Sequence, residues 1–368
     1  MLPQNGDDSL QDINADQGSQ PEDTVSAISW FNQSPSQFFA ASCWDGKIKL
    51  YSVENTGYMS KGLVLRQEFK LNAPILSVNW TSDKHLIAAC GDNTIQAING
   101  ATGAMHVIGN HDAPVRDVFI SDSLAQGTFI SVSYDKTIKL WQFGNCTPLR
   151  TIRLNYKIFA ADFISPFLLL GLSDEKMLLL DLTQQFDESN LNYWDSPLGM
   201  GSQTTCISLF PSKDGFGIGS CDGRANLSLL VPDSNYYTNT KNYKMQNIMT
   251  FKCHKVERRD TSSTTGGTTT IFYPVHSLGF NIRAPKFLFT AGGEGCISYW
   301  DYEKKNKIKT FNYKGIPITR AKVSPDGNYL AYALGYDWSK GIWGWDPIAQ
   351  ANKKICIHYI PDSELRGS

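Results

Sequence analysis

The chain has 368 residues, of which 41% are hydrophobic and 19% are charged, and its formal net charge is −1. This composition is ordinary for a globular protein, and no apolar run reaches the roughly 18 residues that a membrane span needs. A net charge near zero excludes a globally basic nucleic-acid binder, so any such binding must come from a local basic cluster.

Residues 1–23 form a polar N-terminal segment that is rich in Asp, Gln, Asn and Ser. The segment does not resemble a secretory signal, and we expect an intracellular protein whose first 23 residues are mostly disordered. One stretch of this tail, QDINAD at 11–16, can supply a closing strand because it directly precedes the first repeated unit.

A repeated unit follows, made of a strand of small residues, an acidic residue and an alternating apolar strand. SYDKTIKLW at 133–141 shows the last two of these parts. The acidic anchors of the seven copies are Asp45, Asp92, Asp135, Asp174, Asp222, Glu294 and Asp337. Their spacings of 47, 43, 39, 48, 72 and 43 residues match the period of a four-stranded propeller blade.

The pattern predicts an all-β fold, a seven-bladed β-propeller in a single domain over 24–361, followed by a C-terminal tail at 362–368. Each unit shows three strands, and the stretch before the next unit can supply the fourth. In the seventh unit the strand at 355–360 is expected to be third in its blade. The fourth would come from 11–16, since an open ring would expose strand edges.

Tryptophan lies six residues after the anchor in two units, at Trp141 and Trp300. Together with the sevenfold repeat, this offset resembles the WD-repeat propeller superfamily. In the third unit, His111, Ser133, Asp135 and Trp141 are then candidates for one hydrogen-bond network. We interpret the network as structural rather than catalytic, because each member already has a place in the repeat.

Short motifs in the last third of the chain resemble the Rae/Gle-type mRNA export factors of the nuclear pore. The specific combination is FKCH at 251–254, a long loop, YPV at 273–275 and YDWSKG at 336–341. Spindle-checkpoint propellers share the first two motifs but are not expected to carry the third. The export factor is therefore the preferred interpretation, and a checkpoint propeller that binds the GLEBS-type segment of checkpoint kinases is the alternative.

The resemblance implies a binding face for a nucleoporin segment, the GLEBS motif, which presents paired glutamates. Carried over by motif position, Arg224 and Lys252 match basic residues that face those glutamates. Phe251 and Trp300 match the apolar floor beside them. The resemblance also implies a location in the nucleus, at the nuclear pore or envelope, with shuttling to the cytoplasm.

Three further residues complete this face. Lys305 and Lys307 fall where the family places basic side chains, although an arginine is common at the first position and lysine lacks its planar fork. Tyr302 stands where relatives often have lysine. Relatives also contact single-stranded RNA, and in this chain basic loops beside Trp300, Tyr302 and Phe251 can stack bases and neutralise phosphates.

No enzymatic activity is expected. The six histidines show no metal-ligand spacing, the eight cysteines include no CxxC pair, and no Gly-rich phosphate loop opens a helix. We therefore expect no catalytic residues, no metal, no cofactor, no small-molecule substrate and no membrane partner.

Overall fold

Seven four-stranded antiparallel sheets form a ring in the computed structural model of the protein. The structure describes residues 12–32, 37–57, 60–184, 188, 191–233, 242–259, 268–313, 315–344 and 353–365. The first strand of each sheet contacts the first strands of its two neighbours, so these strands line a central channel. The seven-bladed propeller predicted from the repeat is confirmed.

Each blade has four strands, which are ordered from the channel outward. Blade one consists of Val25–Trp30, Phe38–Cys43, Lys47–Gly57 and Ser60–Lys70, and blade two of Ile75–Trp80, Leu86–Cys90, Thr94–Ile98 and Met105–Asn110. Blade three consists of Val115–Ile120, Thr128–Ser133, Thr137–Gln142 and Arg150–Arg153, and blade four of Ile158–Ile164, Phe167–Leu172, Lys176–Asp181 and Trp194–Asp195. Blade five consists of Thr204–Leu209, Gly215–Ser220, Arg224–Asp233 and Asn242–Lys252, and blade six of Val275–Asn281, Ala284–Gly292, Cys296–Asp301 and Asn306–Asn312. Blade seven consists of Ile318–Val323, Tyr329–Leu334, Lys354–Tyr359 and Ile13–Asn14.

In the part of the chain that the structure describes, little regular structure lies outside the blades. Lys255–Arg259 and Thr268–Phe272 pair as a hairpin between blades five and six. Two short 3-10 segments lie at Gln17–Ser19 and Gly341–Gly344. Within the described ranges, no helix has the length and hydropathy that crossing a bilayer requires.

The second strand of each blade is almost completely buried, which explains its small residues. In Gly215–Ser220 every residue is buried. A Cβ atom added to Gly217 would lie 2.9 Å from a methyl carbon of Leu278 in blade six. Small side chains therefore permit the close approach of neighbouring sheets.

In blades one to six the acidic anchors occupy the tight turns between second and third strands, and in blade seven Asp337 begins the longer connection between these strands. The residue after each anchor has a positive φ in all seven blades, namely Gly46, Asn93, Lys136, Glu175, Gly223, Gly295 and Trp338. The anchor carboxylate accepts the backbone N–H two residues on, at 2.9 Å from Asp45 and at 2.8 Å from Asp135. A carboxylate in this position satisfies a turn donor that would otherwise lack a partner.

Every innermost strand also has a bulge at its second residue. The bulged positions are Ser26, Leu76, Arg116, Phe159, Thr205, His276 and Thr319. A bulge redirects a side chain, and these residues surround one mouth of the channel, on the side of the anchor turns.

The ring is closed by the N-terminal segment. Ile13–Asn14 pairs antiparallel with Lys354–Tyr359 and is the fourth strand of blade seven. Residues 12–23, which we expected to be mostly disordered, follow a defined path, and Ala15 is buried against blade one. Residues 1–11 lie outside the described part of the chain.

The expected C-terminal tail also packs against the propeller. Residues 362–365 turn back on blades six and seven, where Leu365 is buried and Glu364 contacts His358. Within the described residues, the domain thus extends slightly further at both ends than the repeat indicates.

Candidate ligand-binding face

A chain of hydrogen bonds links His111, which follows the outer strand of blade two, to three side chains of blade three. Trp141 Nε1 donates to Ser131 Oγ at 2.8 Å, and Ser131 Oγ lies 2.7 Å from His111 Nε2. His111 Nδ1 donates to Asp135 Oδ2 at 2.8 Å, which leaves Nε2 of the neutral ring to accept the serine hydroxyl. All of these groups lie inside the blade, where they stabilise the fold.

The serine in this network is Ser131, so the assignment of Ser133 from the sequence needs correction. Ser133 Oγ donates to the carbonyl oxygens of Ala113 and Pro114, at 3.1 and 3.0 Å, and accepts from the backbone N–H of Asp135. The two serines are two residues apart on one strand, so their side chains lie on the same face of the sheet. The alternating direction of strand side chains therefore cannot show which serine belongs to the network.

Two anchors that face histidines have lowered pKa values. Burial disfavours the charged form of Asp135, but the hydrogen bonds from His111 and Thr137 outweigh it and hold the pKa of this carboxyl well below its usual range. Burial likewise opposes ionisation of Asp337, and the contact with His276 at 2.9 Å lowers its pKa. These pairs join adjacent blades and are structural.

Blade six contains a second, related arrangement that the sequence search missed. His254 Nδ1 lies 2.5 Å from Glu294 Oε1, and Trp300 Nε1 donates to Thr290 Oγ1 at 2.9 Å. The histidine lies 40 residues before its acidic partner, because the hairpin between blades five and six is inserted between them. Glu294 and Trp300 are six residues apart, as are Asp135 and Trp141 in blade three, and this spacing could have indicated the arrangement from the sequence.

The aromatic residues expected at the binding face do lie together. The rings of Phe251 and Trp300 are 4.6 Å apart between centroids. Tyr302 stacks on Phe210 at 5.7 Å in the same cluster, where burial raises its pKa. Phe251 and Trp300 are partly buried, so each both packs between the blades and contributes to the surface.

Two basic residues of the expected face are neighbours at the end of blade five. Arg224 and Lys252 stand opposite each other on adjacent strands. Arg224 Nε lies 3.0 Å from Asp222 Oδ2, and its Nη1 donates to the Leu198 carbonyl at 3.1 Å. Lys252 is exposed, and its ammonium lies 4.8 Å from the ring centroid of Phe272.

The remaining two basic residues belong to blade six. Lys307 stands opposite Trp300, and its ammonium lies 5.8 Å from that ring. Lys305 is exposed in the preceding turn with a φ of 54°. We call the whole set the blade five–six seam: Arg224, Phe251, Lys252, Trp300, Tyr302, Lys305 and Lys307.

The hairpin beside the seam adds one aromatic residue that the motif positions did not indicate. Phe272 is 39% exposed and lies under the Lys252 ammonium. The TTTIF run at 268–272, which is rich in β-branched residues, was the local sign of a strand there. No group of three or more His, Cys, Asp or Glu side chains is placed to hold a metal ion in the described ranges.

Comparisons with known proteins agree with this architecture. The WD domain, G-beta repeat family matches residues 16–52, 64–98 and 104–142. The chain is 29% identical to "Poly(A)+ RNA export protein" of Schizosaccharomyces pombe, covering 94% of this chain and 90% of that protein. It is also 29% identical to "mRNA export factor GLE2" of Chaetomium thermophilum, over 95% of this chain and 91% of that protein.

A checkpoint protein is similar as well. "Mitotic checkpoint protein bub-3" of Caenorhabditis elegans is 26% identical over 93% of this chain and 92% of its own length. Identity is slightly higher for the two export proteins. The chain is thus a WD-repeat β-propeller, and its resemblance to the Rae/Gle-type mRNA export factors is confirmed.

Proposed function

We propose that this protein is a non-enzymatic adaptor in mRNA export that binds an acidic GLEBS-type segment of a nucleoporin along the blade five–six seam. It would act in the nucleus, at the nuclear pore or envelope, and shuttle to the cytoplasm. The observation that carries the proposal is the contact of Phe251 with Trp300, with the ammonium group of Lys307 5.8 Å from the Trp300 ring.

The seam suits a peptide that combines apolar residues with glutamates. Partly buried aromatic rings provide the anchoring contact, and such rings commonly contribute more than about 2 kcal/mol to an interface. The lysines at the edges each add roughly 0–1 kcal/mol as exposed ion pairs, but they favour acidic partners and speed association.

Arg224 has a more specific role in this proposal. Its side chain is oriented by Asp222 and by the Leu198 carbonyl. A charge-assisted hydrogen bond from this oriented group to a ligand glutamate would be worth about 1.5–3 kcal/mol. Arg224 should therefore matter more for affinity than Lys305, which is exposed in a turn.

Single-stranded RNA is the second ligand that we propose for this seam. The ammonium of Lys307 lies 5.8 Å from the Trp300 ring and that of Lys252 lies 4.8 Å from the Phe272 ring, and cations beside aromatic rings fit stacked bases with flanking phosphates. The formal net charge of −1 gives no global attraction, so affinity for RNA alone should be modest. RNA and the acidic peptide would compete for the seam.

The test is binding of a synthetic peptide with paired glutamates, measured by calorimetry. Lys252→Glu is the preferred variant, because this side chain is exposed and forms no ion pair within the described residues. We expect a several-fold loss of affinity, because reversing the charge replaces an attraction of roughly 0–1 kcal/mol by a repulsion of similar size. Arg224→Glu should abolish binding.

Lys157→Glu is the matched control, since Lys157 is an exposed lysine next to the first strand of blade four. It should bind like the unchanged protein, and a peptide with glutamine in place of glutamate should bind weakly to all variants. Full affinity of Lys252→Glu and Arg224→Glu, with unchanged thermal stability, would contradict the proposal.

A checkpoint propeller that binds the corresponding segment of checkpoint kinases is the alternative, supported by the similarity to the nematode bub-3 protein. Both functions would use one seam, so the peptide experiment does not separate them. Affinity purification from the source cells separates the two functions. Nucleoporins should dominate the captured proteins if the export role holds, and kinetochore kinases if the checkpoint role holds.

A further inference from the structure

The mouth of the central channel on the anchor-turn side is a separate cavity with an unusual lining. It has a volume of about 270 Å³. At this mouth its described lining contains two arginines, Arg116 and Arg320, and no carboxylate, whereas Asp117 and Asp162 line the adjoining part of the channel together with both arginines. Trp44, Tyr134 and Phe159 contribute aromatic surface. The cavity is distinct from the blade five–six seam, since its arginines belong to blades three and seven.

The two guanidinium groups share this cavity. Arg116 occupies the bulge of its strand, and Arg320 follows the bulge of its own. Burial lowers the pKa of Arg320 to about 10, and the positive charge of Arg116 contributes to this shift. Two cations are thus close enough to repel each other in a partly buried space.

Backbone carbonyls hold both side chains in place. Arg116 Nε donates to the Phe159 carbonyl at 2.8 Å. Arg320 Nε donates to the Ser26 carbonyl at 2.5 Å, and its Nη1 donates to the Thr319 carbonyl at 2.7 Å. These bonds fix the orientation of each fork but supply no neutralising charge.

Donors remain for a ligand. Nη2 of Arg320 and both terminal nitrogens of Arg116 donate no hydrogen bond to the residues that the structure describes. Beside Arg116, the carboxylate of Asp117 lies 3.9 Å from Nη1, and burial raises the pKa of Asp117. His276 at the edge is already paired with Asp337.

We propose that this cavity binds a phosphate-class dianion, either free phosphate or the phosphate group of a small ester, between Arg116 and Arg320. A dianion would neutralise both cations at once, and the planar forks match the oxygen geometry of phosphate. The site lies where the innermost strands meet, so an ion there would also hold blades three and seven at a fixed distance.

Calorimetry on the full chain tests the site, with pyrophosphate, orthophosphate and phosphoserine as separate probes. The expected result is saturable one-to-one binding of at least one probe. Arg116→Gln and Arg320→Gln should each raise Kd by at least about tenfold, because each removes one charge-assisted fork. Orthophosphate binding would identify a free ion as the natural source, and preference for phosphoserine would identify an ester.

Arg153→Gln is the matched control, since Arg153 is exposed on the outer strand of blade three. It should bind like the unchanged protein. Binding of no probe, or equal loss in all three variants, would overturn the proposal.

A second measurement on the unchanged protein covers the case in which a glutamine variant does not fold. At least one of the three probes, each at saturating concentration, should slow the modification of Arg116 and Arg320 by phenylglyoxal, read by mass spectrometry, and leave Arg153 unaffected. Equal modification rates of the channel arginines without any probe and with each of the three would also overturn the proposal.

Discussion

At the scale of single residues, two serines on one strand have different functions although both are completely buried. Ser131 connects Trp141 to His111, and it is the only group within the described residues that receives the indole N–H. Ser133 bonds to backbone groups near the turn. The difference lies in which partners are left without a hydrogen bond when the hydroxyl is removed.

Ser131→Ala should therefore destabilise the protein more than Ser133→Ala. The first change leaves the Trp141 N–H and the His111 ring nitrogen unsatisfied in a buried site, at a cost of about 1–3 kcal/mol for each group. The second chiefly removes the acceptor of one backbone N–H. Thermal unfolding of the two variants, which have the same change in composition, checks this order, and a lower Tm for Ser133→Ala would contradict the assignment.

At the scale of elements, the turn that follows the second strand contains a residue of left-handed conformation in all seven blades. The residue after the anchor has a left-handed conformation in every blade, and three different non-glycine types besides Trp338 accept it. Gly46 is more constrained than these non-glycine counterparts. A Cβ atom there would lie 2.7 Å from the carbonyl oxygens of both Leu71 and Ala73.

Gly46→Ala should lower the free energy of unfolding by about 2 kcal/mol or more, because it adds left-handed strain and a backbone clash. Gly18→Ala is the control, since Gly18 has no atom within 4 Å of the added Cβ and lacks a positive φ. That change should stay within about 0.5 kcal/mol. Similar Tm values for both variants would show that the turn can shift without cost.

The sequence allowed the blades to be predicted because their signals are local. An acidic turn and alternating strands recur close to each anchor, so all seven units could be found. The hairpin at 255–259 and 268–272 was not predicted, because it is an insertion outside the repeat. The bulges were not predicted either, since a register shift leaves no mark on composition.

The candidate site was predicted only as a set of residues. Motif positions indicated Phe251 and Trp300, and the structure brings their rings into contact. Which of the cations already form ion pairs depends on side-chain conformation, which motif positions do not give. The sequence shows Asp222 two residues before Arg224, but not that the two side chains form an ion pair.

At the scale of the whole molecule, side chains as well as the closing strand join the two ends of the ring. Ile13–Asn14 contributes only two residues to blade seven. Beside it, Asp12 Oδ2 accepts the Tyr332 hydroxyl at 2.7 Å, and Asp12 Oδ1 lies 2.9 Å from His358 Nδ1. Glu364 Oε2 lies 3.0 Å from the other ring nitrogen of the histidine. One histidine thus joins the N-terminal and C-terminal segments.

This arrangement predicts that closure weakens at alkaline pH. Burial alone would lower the pKa of His358, but Asp12 and Glu364 outweigh it and raise the pKa to about 9. Since the folded value exceeds the unfolded one of about 6.5, the stabilisation is fully present below pH 6.5 and disappears as the pH rises through 9. The loss should be on the order of 3 kcal/mol, at about 1.4 kcal/mol per unit of pKa difference.

The measurement is the Tm between about pH 6 and 10 for the unchanged protein and for two variants with the same charge change. Asp12→Asn should lower the Tm at the acidic end and flatten its fall toward the alkaline end, because the histidine loses one of its two carboxylates. Asp16→Asn should keep the original profile, since Asp16 is exposed beyond the closing strand. Parallel pH profiles for all three proteins would mean that the paired carboxylates do not hold the proton on His358, and closure would then depend on strand pairing and burial alone.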